Sequence, residues 1–243
     1  MNNTTVTKMN DMRLLGMSSL YQQQLSSPST ELTNDEAIAM LVDAEWENRH
    51  NRKIQNLMTK AGFKTGVSAM DIDYASHRNL NKNNFQRLLT LEFIGQKENI
   101  IFTGSTGVGK SYLAQAIGVA ACQMTIPVLY CNFATLGGWI KLAHLDGSYF
   151  KLLKKISRAK LLIIDDFGLQ AFDNQTRQAL MDIIEDRYER TSTIITAQIP
   201  VEQWHQTIGE GTIADAILDR LVYSSHRIEL EGDSLRKNKK LKG

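Results

Sequence analysis

Two regimes of apolar spacing divide this chain near residue 98. Before it, apolar residues recur three and four positions apart among polar ones, the period of a helix packed on one face. Leu14, Leu15, Met17, Leu20, Tyr21 and Leu25 mark one such helix, and Ser26-Ser27-Pro28-Ser29 signals its end. Thr33 followed by Glu36 reads as a capping box opening a second helix, with Ile38, Leu41, Val42, Trp46, Ile54 and Leu57 along its stripe. A third helix is predicted over 79–94, leading into the first core strand. Beyond Glu98 the pattern becomes short, mostly apolar runs rich in β-branched residues at 100–103, 128–132, 161–165, 194–197 and 227–230. Helical patterns near 111–124, 136–156, 176–190 and 212–223 separate them. Strands without a polar face must be covered on both sides, which predicts an α/β fold with a parallel five-stranded sheet flanked by helices. The expected division is a small all-α N-terminal domain (1–98), an α/β domain (99–232) and a basic tail (233–243).

Composition changes this picture little, and charge distribution changes it more. The 243 residues are 42% hydrophobic, enough for a sizeable core, and the formal net charge is +2. Cys122 and Cys131 belong to no Cys/His cluster and read as buried thiols of a reducing compartment. The start of the chain lacks a signal-peptide layout. The uncharged run from Ser111 to Ile140 is broken by Gln115, Gln123, Pro127, Asn132 and Gly137-Gly138. It therefore reads as a buried helix and strand, not a membrane span, and a cytoplasmic location is expected. Cations cluster, however. Lys141, Lys151, Lys154, Lys155, Arg158 and Lys160 face only Asp146 in 141–160, and Arg236, Lys237, Lys239, Lys240 and Lys242 face only Asp233 in the tail. Such clusters are either a solvated surface or the footprint of a nucleic-acid binder.

The chemistry begins at Gly104-Ser105-Thr106-Gly107-Val108-Gly109-Lys110-Ser111, directly after an apolar strand and before a helix. This is the G-x-x-x-x-G-K-[ST] pattern. Its glycines let successive backbone N–H groups turn toward phosphate oxygens at a helix N-terminus, where the helix dipole also favours an anion. Lys110 is expected to reach the β- and γ-phosphates and Ser111 to hold Mg²⁺. The strand Leu161-Leu162-Ile163-Ile164 ends in Asp165-Asp166, which supplies one acid for the metal shell and one to activate water. A further strand ending Thr196-Ala197-Gln198 fits an ATPase with an additional strand between those two, and leaves Thr196 or Gln198 to orient water. Arg220, in Ile217-Leu218-Asp219-Arg220-Leu221, either reaches a neighbour's γ-phosphate or pairs with Asp219 or Asp215. Arg49, His50, Arg52 and Lys53 either complement a helix C-terminus or track a phosphate backbone.

Taken together, GSTGVGKS (104–111), LLIIDDFG (161–168), TIITAQIP (193–200), ILDRL (217–221) and GDSLRK (232–237) resemble the insertion-sequence helper ATPase family IstB. The segments AEWENRHNRKI (44–54) and DIDY (71–74) are similar to that family too, so the resemblance spans almost the whole chain. It implies an AAA+ module related to the helicase loader DnaC and the initiator DnaA, behind a small helical domain. It implies ATP and Mg²⁺ as cofactors, ATP-dependent homo-oligomerisation on duplex DNA, and a partner transposase, with no membrane. Carried over, Lys110 and Ser111 are the Walker A pair, Asp165 and Asp166 form Walker B, and Gln198 is sensor I. Arg220 becomes the arginine finger and Arg236 the sensor II contact to nucleotide. Two residues depart from the pattern: Asp166 stands where glutamate is usual, and Gln198 where asparagine is commoner. The resemblance also turns the 136–158 segment toward DNA, where Trp139, Tyr149 and Phe150 interleave with the lysines. Arg49, Arg52, Lys53, Lys151, Lys154 and Lys155 are the expected phosphate contacts. A replicative helicase loader, a small-molecule kinase and a nucleotide-gated scaffold are the competing functions.

Overall fold

A computed structural model describes residues 2–26, 32–64, 66–74 and 79–235. Two compact units make up the chain, 1–56 and 57–243. The first contains α1 (Asn2–Asp11), α2 (Leu15–Ser26) and most of α3 (Asn34–Ala61). The capping box forms as the spacing predicts: Thr33 Oγ1 accepts from Glu36 N (3.3 Å), and Glu36 Oε2 accepts from Thr33 N (2.8 Å). The helix predicted from Leu14 to Leu25 forms as α2, and an additional helix, α1, precedes it, with Arg13 at φ 59° between the two. Across this unit the buried Glu45 carboxylate of α3 accepts from Gly16 N (2.8 Å) and Met17 N (3.3 Å), two of the donors that α2 leaves unpaired at its start. Arg49 Nε closes on the same carboxylate at 2.6 Å.

The second unit carries α4 (Lys82–Leu89), α5 (Glu92–Gln96), β1 (Asn99–Gly104), α6 (Lys110–Gln123), β2 (Val128–Asn132), α7 (Phe133–Leu145) and α8 (Tyr149–Ser157). It continues through β3 (Leu161–Phe167), α9 (Asn174–Arg187), β4 (Ser192–Ala197), α10 (Trp204–Ile208), α11 (Gly211–Val222) and β5 (Ser225–Leu230). All five strands are parallel in the order β2-β3-β4-β1-β5, so β4 lies between the strand that enters the phosphate loop and the strand that ends in the acids, as expected. Alternate strand residues feed two cores. Ile100, Phe102, Tyr130 and Ile163 pack with Leu113 and Ile117 of α6, while Ile101, Cys131, Ile164 and Ile195 pack with Leu136, Leu180 and Ile217 of α7, α9 and α11. Burial pushes the Cys122 thiol up to about 11 and the Cys131 thiol up to about 12, so both stay protonated.

Three sequence expectations need correction. The boundary at 98 differs from the compact division at 56/57, because Phe85, Leu88, Leu91 and Phe93 belong to the same core as Ile100 and Phe102. The helix expected over 79–94 is broken between α4 and α5, where Leu91 adopts φ 64° and buries its side chain. The helix expected over 136–156 is broken at Asp146-Gly147-Ser148: Gly147 takes φ 72°, and the Asp146 carboxylate accepts from Ser148 N at 2.9 Å. Spacing carries through such breaks because the apolar face is the same on both sides of them. No helix among the described residues is long and apolar enough to cross a membrane.

Candidate nucleotide site

Strand β1 delivers the glycine loop to the C-terminal edge of the sheet, where ligands of open α/β sheets bind. Gly104 (φ 137°) and Gly107 (φ 88°) hold backbone conformations that a side chain would strain, and Gly109 (φ 102°) caps α6. Lys110, only 5% exposed, donates from Nζ to the carbonyls of Gly104 (2.7 Å) and Ser105 (2.8 Å). The ammonium is thereby held over the loop that the motif assigns it to.

The two acids are separated by a bulge. Ile164 pairs with Ile195 and Phe167 with Ala197, so Asp165 and Asp166 together oppose Thr196. Thr196 Oγ1 joins both, donating to Asp165 Oδ1 and accepting from Asp166 N at 3.1 Å. Asp165 is fully buried, and it accepts from Ser111 Oγ (2.7 Å) and from Tyr130 OH (2.6 Å). Desolvation and the Asp165 charge push the Tyr130 phenol far above its ordinary value, so it remains a donor. Ser111 and Asp165 present the hard oxygens that Mg²⁺ accepts beside phosphate.

Asp166 is turned by the bulge into the left-handed region, φ 57°. Aspartate and asparagine tolerate that conformation better than glutamate does, which gives a backbone reason for aspartate here. Its Oδ2 accepts from Asn132 Nδ2 at 2.8 Å, while Asn132 Oδ1 caps α7 through Ala134 N. Desolvation and the Asp165 charge raise the Asp166 carboxyl above the ordinary aspartate value, against opposing pulls from Lys64, Lys110 and the Asn132 bond. Of the two residues left open at the end of β4, Thr196 is taken by the acids. Gln198 instead reaches the loop, accepting from Thr106 Oγ1 at 2.8 Å. Lys64, Tyr130 and Asn132 were missed by sequence reasoning. Tyr130 and Asn132 carry one faint signal, being the polar positions of an otherwise apolar strand.

Arg220 stands elsewhere. Its backbone carbonyl accepts from Asn99 Nδ2 (3.3 Å) at the first residue of β1, whereas the loop begins at that strand's last residue. A six-residue strand separates the two by about 17 Å. Arg220 pairs with neither Asp219 nor Asp215, contrary to the sequence alternatives. Its Nε lies 2.6 Å from Glu185 of α9, Nη1 donates to Ala216 O (2.9 Å), and the guanidinium sits 5.8 Å from the Tyr188 ring. It lines a cavity of about 450 Å³ together with Lys97, Asn99, Arg187, Tyr188 and Thr193. Arg187 is buried and donates to the carbonyls of Ile156, Ala159 and Ser192 and to Thr193 Oγ1. Burial lowers its pKa to about 10, leaving it a cation at neutral pH.

The predicted phosphate contacts divide. Lys151, Lys154 and Lys155 are exposed on α8, with Lys155 Nζ 4.6 Å above the Trp139 ring. Arg52 and Lys53 are exposed on α3, beside Trp46 stacked on His50 at 4.8 Å. Arg49 is committed to Glu45, and Lys141 of the basic cluster is paired with Asp173 at 2.8 Å. Arg236 lies outside the described residues.

Comparison with known proteins agrees with this geometry. Residues 7–243 match the family described as IstB-like ATP binding protein. The insertion-sequence ATP-binding protein y4pL of Sinorhizobium fredii is 41% identical over 239 residues, covering 98% of each chain. The ATP-binding protein of insertion sequence IS1162 from Pseudomonas fluorescens is 32% identical, covering 81% of this chain and 86% of its own. Among solved structures, AMPPCP-bound DnaA from Aquifex aeolicus superposes with TM-score 0.60 at 20% identity, over 74% of this chain and 56% of that one. DnaI does so with TM-score 0.58 at 22% identity, over 68% and 90%. These likenesses show the fold alone, a parallel sheet with flanking helices shared with those two proteins. The glycine loop, the buried acid beside its serine and the match over nearly the whole length make this chain a member of the IstB-like ATP-binding family of insertion sequences.

Proposed function

We propose that the protein is an Mg²⁺-dependent ATPase that assembles as a homo-oligomer on duplex DNA and assists a partner transposase. The observation that carries this reading is the separation of Arg220 from the glycine loop by the length of β1. An arginine at that end of the sheet serves a phosphate only in a neighbouring copy. In this reading, the loop N–H groups and Lys110 bind the phosphates, and Gln198 orients the attacking water beside Thr106. Asp166 accepts the proton from that water. Ser111 and Asp165 would hold the metal, which would supply positive charge to offset that of the phosphates. Among the described residues no group of three or more His, Cys, Asp or Glu could hold one alone. Arg220 of the neighbour then neutralises charge that develops in the transition state.

Duplex contact is assigned to Arg52 and Lys53 on α3 and to Lys151, Lys154 and Lys155 on α8, which are exposed cations beside aromatic surface. Contacts of this kind read backbone charge, so affinity should fall steeply with salt and vary little with sequence. Transposase assistance rests on the insertion-sequence relatives. The test is light scattering of wild type and Lys110→Ala with duplex DNA, with and without ATP. ATP-dependent assembly on DNA by wild type alone supports the proposal, and a wild type that stays monomeric and unbound with ATP overturns it.

A further inference from the structure

Beyond β5 the chain continues alongside the glycine loop, which the sheet order does not require. Leu230 is paired with Gly104 in the register of β1 and β5. Ser105 Oγ then donates to Gly232 O at 3.4 Å, and Leu235 N donates to Gly107 O at 3.0 Å. Between these bonds Ser234 fills the space beside Gly107, so that a Cβ at Gly107 would overlap Ser234 Oγ. The segment therefore follows the loop from its first residue to its middle.

This contact has a consequence for anion binding. A phosphate loop offers its N–H groups to the ligand and turns its carbonyls away, so the carbonyls need partners of their own. Leu235 N is that partner for Gly107. The absence of a side chain at Gly107 both permits φ 88° and admits Ser234. We propose that residues 232–235 are a positioning strap that holds the loop in its phosphate-accepting shape, making nucleotide affinity depend on the segment after β5. The inference rests on the reading of the loop as the ATP site.

The test is titration of the full chain with a fluorescent ATP analogue, with thermal unfolding recorded in parallel. Leu235→Pro removes the N–H, and nucleotide should bind about three- to tenfold more weakly, the worth of one hydrogen bond. Leu235→Ala keeps the N–H and should bind as wild type does, which a role in packing alone would not produce. As a second route, Gly107→Ala should weaken binding, and Ser234→Gly in that background should restore part of it. Wild-type affinity in Leu235→Pro, equal losses in Leu235→Ala and Leu235→Pro, or no restoration by Ser234→Gly would each overturn the strap. Wild type that fails to bind the analogue would instead overturn the ATP reading, and the strap with it.

Discussion

The two ends of the parallel sheet are chemically opposite. At the C-terminal edge, backbone donors and Lys110 stand beside the buried Asp165 and the half-buried Asp166, and three of their four carboxylate oxygens are tied to neighbouring strands or helices. At the N-terminal edge, Arg187 and Arg220 line a cavity with Glu185 as the acid on Arg220. In the proposed reading, the first end receives an anion with its metal and the second offers a cation. Arg187 and Arg220 also differ from each other. Arg187 is sealed among carbonyls and belongs to the core, whereas Arg220 rests on a half-exposed glutamate that a stronger anion can displace. In the proposed reading, a molecule with complementary ends on one sheet is completed by a second copy of itself.

The sharpest break in that comparison is Arg220→Ala. Hydrolysis should fall by about a thousandfold, while nucleotide affinity stays near wild type, measured by phosphate release and by equilibrium titration. Lys110→Ala should act at the other end, weakening nucleotide binding about 10- to 100-fold, the range for hydrogen bonds from a charged donor. Asp166→Asn separates function from stability. Its raised pKa means that the folded state holds this proton more tightly than the unfolded chain does, so the fold loses stability as pH rises through the folded-state value. Removing the charge should abolish hydrolysis yet raise Tm by about 2 °C at neutral pH, read by calorimetry. In wild type, the acid limb of the hydrolysis profile should lie above the ordinary aspartate value for the same reason. Asp173 is the smallest effect and has the opposite sign. Lys141 and the Thr176 N–H hold its carboxyl down at about 2, so the stability it contributes is present above the ordinary aspartate value and is lost as pH falls through about 2. Asp173→Ala should cost about 1 kcal/mol, the worth of a helix cap, in denaturant titration at neutral pH.

The same contrast explains what the sequence disclosed. Gly104–Ser111 and Asp165-Asp166 are contiguous, and their neighbours in the chain are the strands that place them, so local pattern was sufficient. The insertion of β4 between β1 and β3 was legible because its apolar run ends at Thr196 and Gln198, polar residues suited to the same edge. The partners of these groups were not legible. Tyr130 meets Asp165 across 35 residues and Asn132 meets Asp166 across 34, contacts that only the β2–β3 pairing creates. Glu185 as the partner of Arg220 depends on α9 lying against α11, and periodicity names a helix face without naming what it touches. The breaks at Leu91 and Gly147 escaped for a related reason: a left-handed residue interrupts the hydrogen bonds of a helix without interrupting its apolar stripe.

The most direct test of a site completed between copies is subunit mixing. Arg220→Ala and Asp166→Asn are each expected to be inactive, one lacking the cation and the other lacking the acid. In a mixed assembly, Arg220 of the Asp166→Asn subunit meets the intact acid of the Arg220→Ala subunit, and ATP hydrolysis should return, with its maximum near equal proportions. No hydrolysis at any ratio, in mixtures shown by light scattering to co-assemble on duplex DNA with ATP, would contradict the account.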